Sequence, residues 1–265
     1  MLAQTRLGLA ALRQLEDAYV DELFAAAPAH GAPLLRALFP RAFVDPNREP
    51  YELDPRMFSD LLPRHANTTS ARVSGGLGTI ARAVTSGGEI YSDKLCFAEA
   101  EWRIAEYYRP FHDALNDLLD ATRQRFGLAV LIDCHSMPSV GGPLDRDRGH
   151  ERADIVLGDR FGASCAEPLV EGVEAVLVDL GYRVARNVPY AGGFTTEHYG
   201  RPQDGVHALQ IEINRALYMD ERRIRRHEGM KRLVGDMTAM IAAVTAFDLG
   251  ELVPAKPAAT ETWPA

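Results

Sequence analysis

From residue 128 to residue 247, short apolar runs alternate with longer stretches of helical period. That rhythm restricts the fold more than any other feature of the chain. The runs are residues 128–133, "DIVLGD" (154–159), "YRVARN" (182–187) and "HALQIEIN" (207–214). The helical stretches are residues 164–180, where Ser164 is a candidate N-cap, and 221–247. Strands separated by helices favour a parallel sheet covered on both faces. The expectation is one α/β domain over residues 1–250, a three-layer α/β/α arrangement with a mostly parallel mixed sheet. In such sheets ligands bind outside the carboxyl ends of the strands. The remaining residues, 251–265, are rich in Pro and Ala and are expected to form a disordered tail.

Upstream, residues 7–27 place Leu9, Leu12, Val20 and Leu23 on one face at helical spacing. Glu16 falls in the middle of that face and Asp17 at its edge. An acid there either sits at a rim or serves a site. Residues 30–60 read as irregular, and residues 96–126 as a long helix interrupted near Arg109-Pro110. "SGGLGTI" and "TSGGEIY" are glycine-rich turns. Neither has the GxxxxGK[ST] spacing of a phosphate loop.

A net charge of −8 argues against a nucleic-acid surface. The N-terminal stretch carries charges throughout and does not read as a signal peptide, and no run approaches the roughly 18 apolar residues of a membrane span. Three cysteines without a CxxC pair make neither a disulfide framework nor a zinc knuckle. The expected compartment is the cytoplasm. The expected partner is a small molecule, with neither nucleic acid nor membrane.

Two segments carry the chemistry. In "LIDCHSMPS" (131–139) an apolar run stops at Asp133-Cys134-His135-Ser136, and Met137-Pro138 turns the chain. Asp133 and His135 share one side of the strand, while Cys134 points to the other. A Cys134–His135 nucleophile pair is therefore disfavoured. In "HALQIEIN", Leu209, Ile211 and Ile213 face one way and Gln210, Glu212 and Asn214 the other. A central parallel strand is normally apolar on both faces. One polar face means either an edge strand in water or a strand lining a cleft, with Glu212 as a general acid/base.

Together, "EDAYVDELF" (16–24), "FVDPNREPYELDP" (43–55), "GLGTI" (76–80), "GGEIY" (87–91), "LIDCHSMPS" (131–139), "DIVLGDRFGASC" (154–165), "YAGGFTTEHYGRP" (190–202) and "VHALQIEINRALYMDE" (206–221) resemble the N-formylglutamate amidohydrolase family. That family is similar in fold to zinc carboxypeptidases and N-acyl amino acid acylases. The resemblance implies hydrolysis of an N-formyl or N-acyl amino acid at a Zn2+ or other divalent metal site. It implies His135 and Asp17 as metal ligands, with Glu16 the alternative that the helical wheel favours. It implies Asp133 as support for the imidazole, Glu212 as general base and His198 as a contact for the oxyanion or substrate. Asn47 and Arg48 would hold the substrate carboxylate, a task a guanidinium suits because it binds a carboxylate through two parallel bonds. Arg215 would be a second anchor or a surface residue, and His207 structural or functional.

The family's usual pattern also has a Pro-His-x-Gly segment ahead of the acidic pair, and no such segment precedes Glu16 here. His30 follows the pair and does not replace it. The resemblance thus implies that one strand and one histidine ligand are missing from the chain as written. The alternative expectation is a truncated, non-catalytic member with an incomplete metal site.

Overall fold

A computed structural model describes residues 4–84, 88–142 and 145–252, so the expected tail from residue 253 onward lies outside the described residues. In chain order the helices are α1 (Leu9–Leu12), α2 (Val20–Leu23), α3 (Ala71–Ser74), α4 (Phe97–Arg103), α5 (Arg109–Phe126), α6 (Glu167–Asp179), α7 (Phe194–Tyr199) and α8 (Gly229–Thr245). The strands are β1 (Ala129–Met137), β2 (Ile155–Gly158), β3 (Val184–Arg186), β4 (Val206–Asn214) and a short hairpin of β5 (Met219–Asp220) and β6 (Arg225–Arg226). The main sheet runs β1-β4-β2-β3. The β1–β4 and β2–β3 pairs are parallel and β2–β4 is antiparallel, so the mostly parallel mixed sheet is as expected.

The polar alternation of β4 lies in the middle of this sheet, not at its edge. β4 is flanked by β1 and β2, and all nine of its residues are buried. Leu209, Ile211 and Ile213 are fully buried and pack with α6 and α8. Each such side chain stabilises the fold by roughly 1.5–3 kcal/mol. On the opposite face, α5 covers Ala129 and Leu131 through Leu115 and Leu119. That leaves Asp133, His135, Gln210 and Glu212 beyond the end of the helix contact. The edge-strand reading is thus overturned: β4 is an interior strand with one polar face.

β1 extends through "DCHSM" to Met137, past the point where its apolar run stops. Its register with β4 holds to the end, pairing Asp133 with Gln210, His135 with Glu212 and Met137 with Asn214. Backbone pairing to a buried neighbour carries the strand further than hydrophobicity alone.

The expected helix over residues 7–27 is broken. Its α1 turn passes into a 3-10 turn at Arg13–Leu15, and the chain restarts as α2 after Tyr19, which sits in the left-handed region at φ 68°. Leu12, Val20 and Leu23 are still buried, so the apolar pattern is met without a continuous helix. The long helix behaves differently. It continues through Arg109-Pro110 by opening into a π turn over Ile104–Tyr108, which accommodates the donor that Pro110 lacks. Ser164 does not cap α6. Its hydroxyl donates to the carbonyl of Ala208, and Ala166 holds the cap position.

The glycine turn before Ile80 has a mechanical role. A Cβ on Gly78 would lie 2.1 Å from the Glu52 carbonyl oxygen. This close approach lets Thr79 bond the 45–52 loop, its N–H donating to Glu52 O and its carbonyl accepting from Asp45 N–H. Among the described residues no helix is long and apolar enough to cross a membrane.

Candidate active site

Four chain segments meet at the carboxyl end of β1 and β4. The interruption between α1 and α2 turns Asp17 inward, where its carboxylate accepts from the Ser136 N–H (2.9 Å) and from Arg41 Nη1 (2.7 Å). His135 Nδ1 lies 3.0 Å from the same carboxylate. Burial acts to raise the Asp17 pKa, but Arg41 and His135 together hold it well below the usual carboxylate range. Glu16 points elsewhere and pairs with Arg13 at 3.0 Å. Of the two acids, only Asp17 bonds to His135.

The other imidazole nitrogen, His135 Nε2, lies 2.9 Å from Asp133 Oδ1 and 2.8 Å from Asn47 Nδ2. The Asn47 amide cannot turn freely, because its Oδ1 accepts from the Thr195 N–H at 2.8 Å. Nε2 therefore faces a carboxylate that wants a proton and an amide N–H that wants a lone pair. One tautomer cannot satisfy both. Burial disfavours the imidazolium, yet Asp133 and Asp17 raise the His135 pKa well above its ordinary value.

Glu212 stands beside His135 on the adjacent strand and is 9% exposed. Burial pushes its carboxyl up to about 7, with nearby His135 and Arg41 opposing. Its Oε1 accepts from Gln210 Nε2 at 3.0 Å, and Gln210 Oε1 in turn accepts from the Gly193 N–H at 2.8 Å. The loop before α7 thus fixes the Glu212 carboxylate through one amide side chain.

The remaining expected residues divide. Arg48 gives Nε to Leu77 O (3.0 Å) and Nη1 to Asn47 O (2.8 Å), so two of its three nitrogens brace the 45–48 loop. Arg215 donates to Ser136 Oγ, Gln14 O and Glu16 O, tying the Asp17 segment to β1. His198 is exposed on α7, stacked on Phe194 at 5.0 Å, and bonds to none of Asp17, His135 or Glu212. His207 is buried far down β4, where its Nδ1 accepts from the Ala166 N–H.

Sequence reasoning missed Arg41 and Gln210. Arg41 bridges Asp17 and Asp45, with Nε 2.8 Å from Asp45 Oδ2. The available signal was the Arg-x-x-x-Asp spacing of Arg41 and Asp45, which is one helical turn. Gln210 lies on the polar face of its strand, where alternation alone assigns it no role.

A divalent ion could use Asp17 and His135, which are ligand types that zinc takes and are already in contact. The conflicting demands on Nε2 also fit a ring that is not settled by protein partners alone. Among the described residues, however, no group of three His, Cys, Asp or Glu is arranged to hold a metal ion. The residues present fit two positions of such a site.

The model of the N-formylglutamate amidohydrolase family matches residues 1–219. The chain belongs to the N-formylglutamate amidohydrolase family. An N-formylglutamate deformylase of Pseudomonas aeruginosa is 32% identical over 208 residues, covering 77% of this chain and 71% of that protein. One from Pseudomonas putida is 29% identical over the same shares. The crystal structure of N-formylglutamate amidohydrolase from Ralstonia eutropha JMP134 superimposes with a TM-score of 0.84 at 37% identity, over 91% of this chain and 86% of that one. The chain is thus a member of an amidohydrolase family, and the fold is that of the family.

Gly193 offers a direct test of the packing in this family member. A Cβ there would lie 2.5 Å from both Asn47 Nδ2 and Oδ1. Gly193→Ala should push Asn47 off His135, destabilise the protein by about 1–3 kcal/mol and cost on the order of tenfold or more in activity through misplacement. Denaturant melts together with initial rates check it. Wild-type values for both would show that the loop yields freely.

Proposed function

We propose that this chain hydrolyses the formyl amide of N-formylglutamate, releasing formate and glutamate. The observation that carries the proposal is a buried carboxyl poised near neutrality, Glu212, beside the Asp17–His135 pair in a member of this family. Water adds to the formyl carbon, the C–N bond breaks, and the nitrogen leaves as an amine with a proton gained. Glu212 suits both transfers, because a group of pKa near the working pH can take a proton from water and return it to nitrogen. Gln210 holds the Glu212 carboxylate in place while this occurs.

Asp17 and His135 would hold a divalent ion, which would acidify bound water and polarise the formyl oxygen when present. Arg41 keeps Asp17 ionised and oriented for that task. We assign Asn47 and the remaining nitrogen of Arg48 to the substrate carboxylate, and Arg215 to holding the Asp17 segment. His198 is assigned to the substrate's outer end. The free thiols Cys96, Cys134 and Cys165 support a reducing, cytoplasmic setting, and the products suit a catabolic step.

One observation favours a second reading, a folded member that does not hydrolyse: a third metal ligand is absent among the described residues. Formate release from N-formyl-L-glutamate separates the two. The assay uses chelator-treated protein with and without added zinc, beside His135→Ala. The proposal expects zinc-dependent release that the variant lacks. Wild-type release no greater than the variant's, at saturating zinc, establishes the second reading.

A further inference from the structure

The 43–48 loop carries Asn47 and Arg48, yet the carbonyls of Phe43, Pro46 and Arg48 accept from no backbone donor among the described residues. Partly buried carbonyls of this kind still need partners. All three find them on one helical stretch. Arg103 Nη1 donates to Phe43 O at 3.1 Å, the Tyr108 hydroxyl to Arg48 O at 2.7 Å, and His112 Nε2 to Pro46 O at 2.9 Å. The last two carbonyls belong to the residues directly before and after Asn47.

The spacing of these donors gives the π turn a second role. Tyr108 and His112 are four apart, which puts them on one helical face. Arg103 and Tyr108 are five apart. In an unbroken α-helix that step turns two residues about 140° away from each other. The π turn over Ile104–Tyr108 pairs residues five apart and brings Arg103 back to the same face. Besides accommodating Pro110, it thus aims all three donors at one loop. Arg103 is fully buried, with its guanidinium carbon 4.3 Å from the centre of the Phe43 ring. The Tyr108 and His112 rings pack with their centres 4.2 Å apart.

His112, unlike His135, has a settled tautomer. A carbonyl only accepts, so Nε2 carries the proton, and Nδ1 accepts from the Tyr199 hydroxyl at 2.7 Å. Burial lowers the pKa of His112, which favours this neutral form. Tyr199 belongs to α7, the helix whose Thr195 N–H holds Asn47 Oδ1. His112 therefore ties together the two pieces of backbone that fix the Asn47 side chain.

We propose that Arg103, Tyr108 and His112 form a three-point clamp, phased by the π turn, that holds Asn47 and Arg48 ready for the substrate carboxylate. Tyr108 and His112 are positioning residues and need not touch the substrate. The clamp's role in binding rests on Asn47 and Arg48 taking that carboxylate.

Tyr108→Phe and His112→Phe keep the rings and remove the donors. In formate release from N-formyl-L-glutamate, each should raise KM about five- to tenfold and change kcat less than about threefold. His112→Gln, whose amide keeps a donor near the Nε2 position, should return KM to within about twofold of wild type. Unchanged KM in both Phe variants overturns the proposal. So does a fall in kcat at constant KM, and so does a Gln variant no better than Phe, which would reduce His112 to packing. A readout free of catalysis separates the clamp from the functional reading. The Asn47 side-chain amide gives an NMR signal, identified by its loss in Asn47→Ala, and both Phe variants should shift it and speed its exchange with water. If the wild type releases no formate, the functional reading fails and this signal decides the clamp: a shifted signal supports it and an unmoved one overturns it. If His112→Phe does not fold, Tyr108→Phe, which loses a single oxygen, decides alone.

Discussion

Replacing Glu212 with Gln should lower kcat for formyl-amide hydrolysis by about 10²–10⁴-fold without lowering the melting temperature. The two halves of this result have one cause. The carboxyl is buried and pushed up to about 7, so its ionised form is disfavoured by its surroundings. A neutral amide of the same shape removes that penalty. Its Oε1 can still accept the 3.0 Å bond from Gln210 Nε2. What it cannot do is carry a proton. For the wild type, kcat/KM should rise with pH through about 7, as the base ionises, and that limb should vanish in the variant.

Stability should follow the same group with the opposite slope. A folded pKa above the unfolded value near 4.3 means that the folded state holds the proton more tightly. Glu212 therefore costs little stability below pH 4 and progressively more as pH rises through 7. In metal-free protein, the stability gained by Glu212→Gln should be on the order of 1–3 kcal/mol greater at pH 8 than at pH 4. A variant that retains wild-type kcat would remove Glu212 from the chemistry. One that loses kcat and also melts far lower would make its role structural.

Asp17→Ala should be the most destabilising single change in the site, at about 3–5 kcal/mol. One carboxylate accepts from Arg41, from the Ser136 N–H and from the Ser136 hydroxyl, and it faces His135 Nδ1. Its removal leaves the Ser136 N–H without its acceptor, Arg41 with Asp45 alone and the charged imidazole with Asp133 alone, all in one small volume. Activity should be lost with it. The pKa of Asp17 is depressed, so its contribution is fully present above an unfolded value near 3.9 and fades as pH falls below that. Urea melts at pH 7 and pH 3 should therefore show a wild-type advantage that shrinks in acid. Equal stability of the two proteins at pH 7 would mean that Asp17 is a bystander.

The sequence made some of this visible and concealed the rest for definite reasons. Alternation in 207–214 exposed the polar face that carries Glu212, because a period of two is a property of the strand itself. It could not say which strands lie alongside, and β4 proved central because β1 and β2 close on both its edges. Helical periodicity pointed to Glu16, since a wheel assumes an unbroken helix. The chain breaks between Glu16 and Tyr19, and the neighbouring acid enters the site instead. The apolar run of β1 stops at residue 133 because the last residues of the strand are polar, and only a partner strand explains its extension to Met137. Arg41 lay in a segment without periodicity, and its role depends on Asp17 and Asp45 being folded together from two places.

The left-handed residue Tyr19 sets a limit on how this protein can be improved. Its φ of 68° is unfavourable for a side chain with a Cβ, and its hydroxyl bonds the Ile224 carbonyl at 2.7 Å. Ordinary strategies for greater thermal resistance would mend such a flaw by filling residues 16–19 with strong helix formers. Here the repair would join α1 to α2 and rotate Asp17 out of reach of His135. This strained turn is thus one that an engineer must leave alone, and heat resistance has to be sought elsewhere in the molecule.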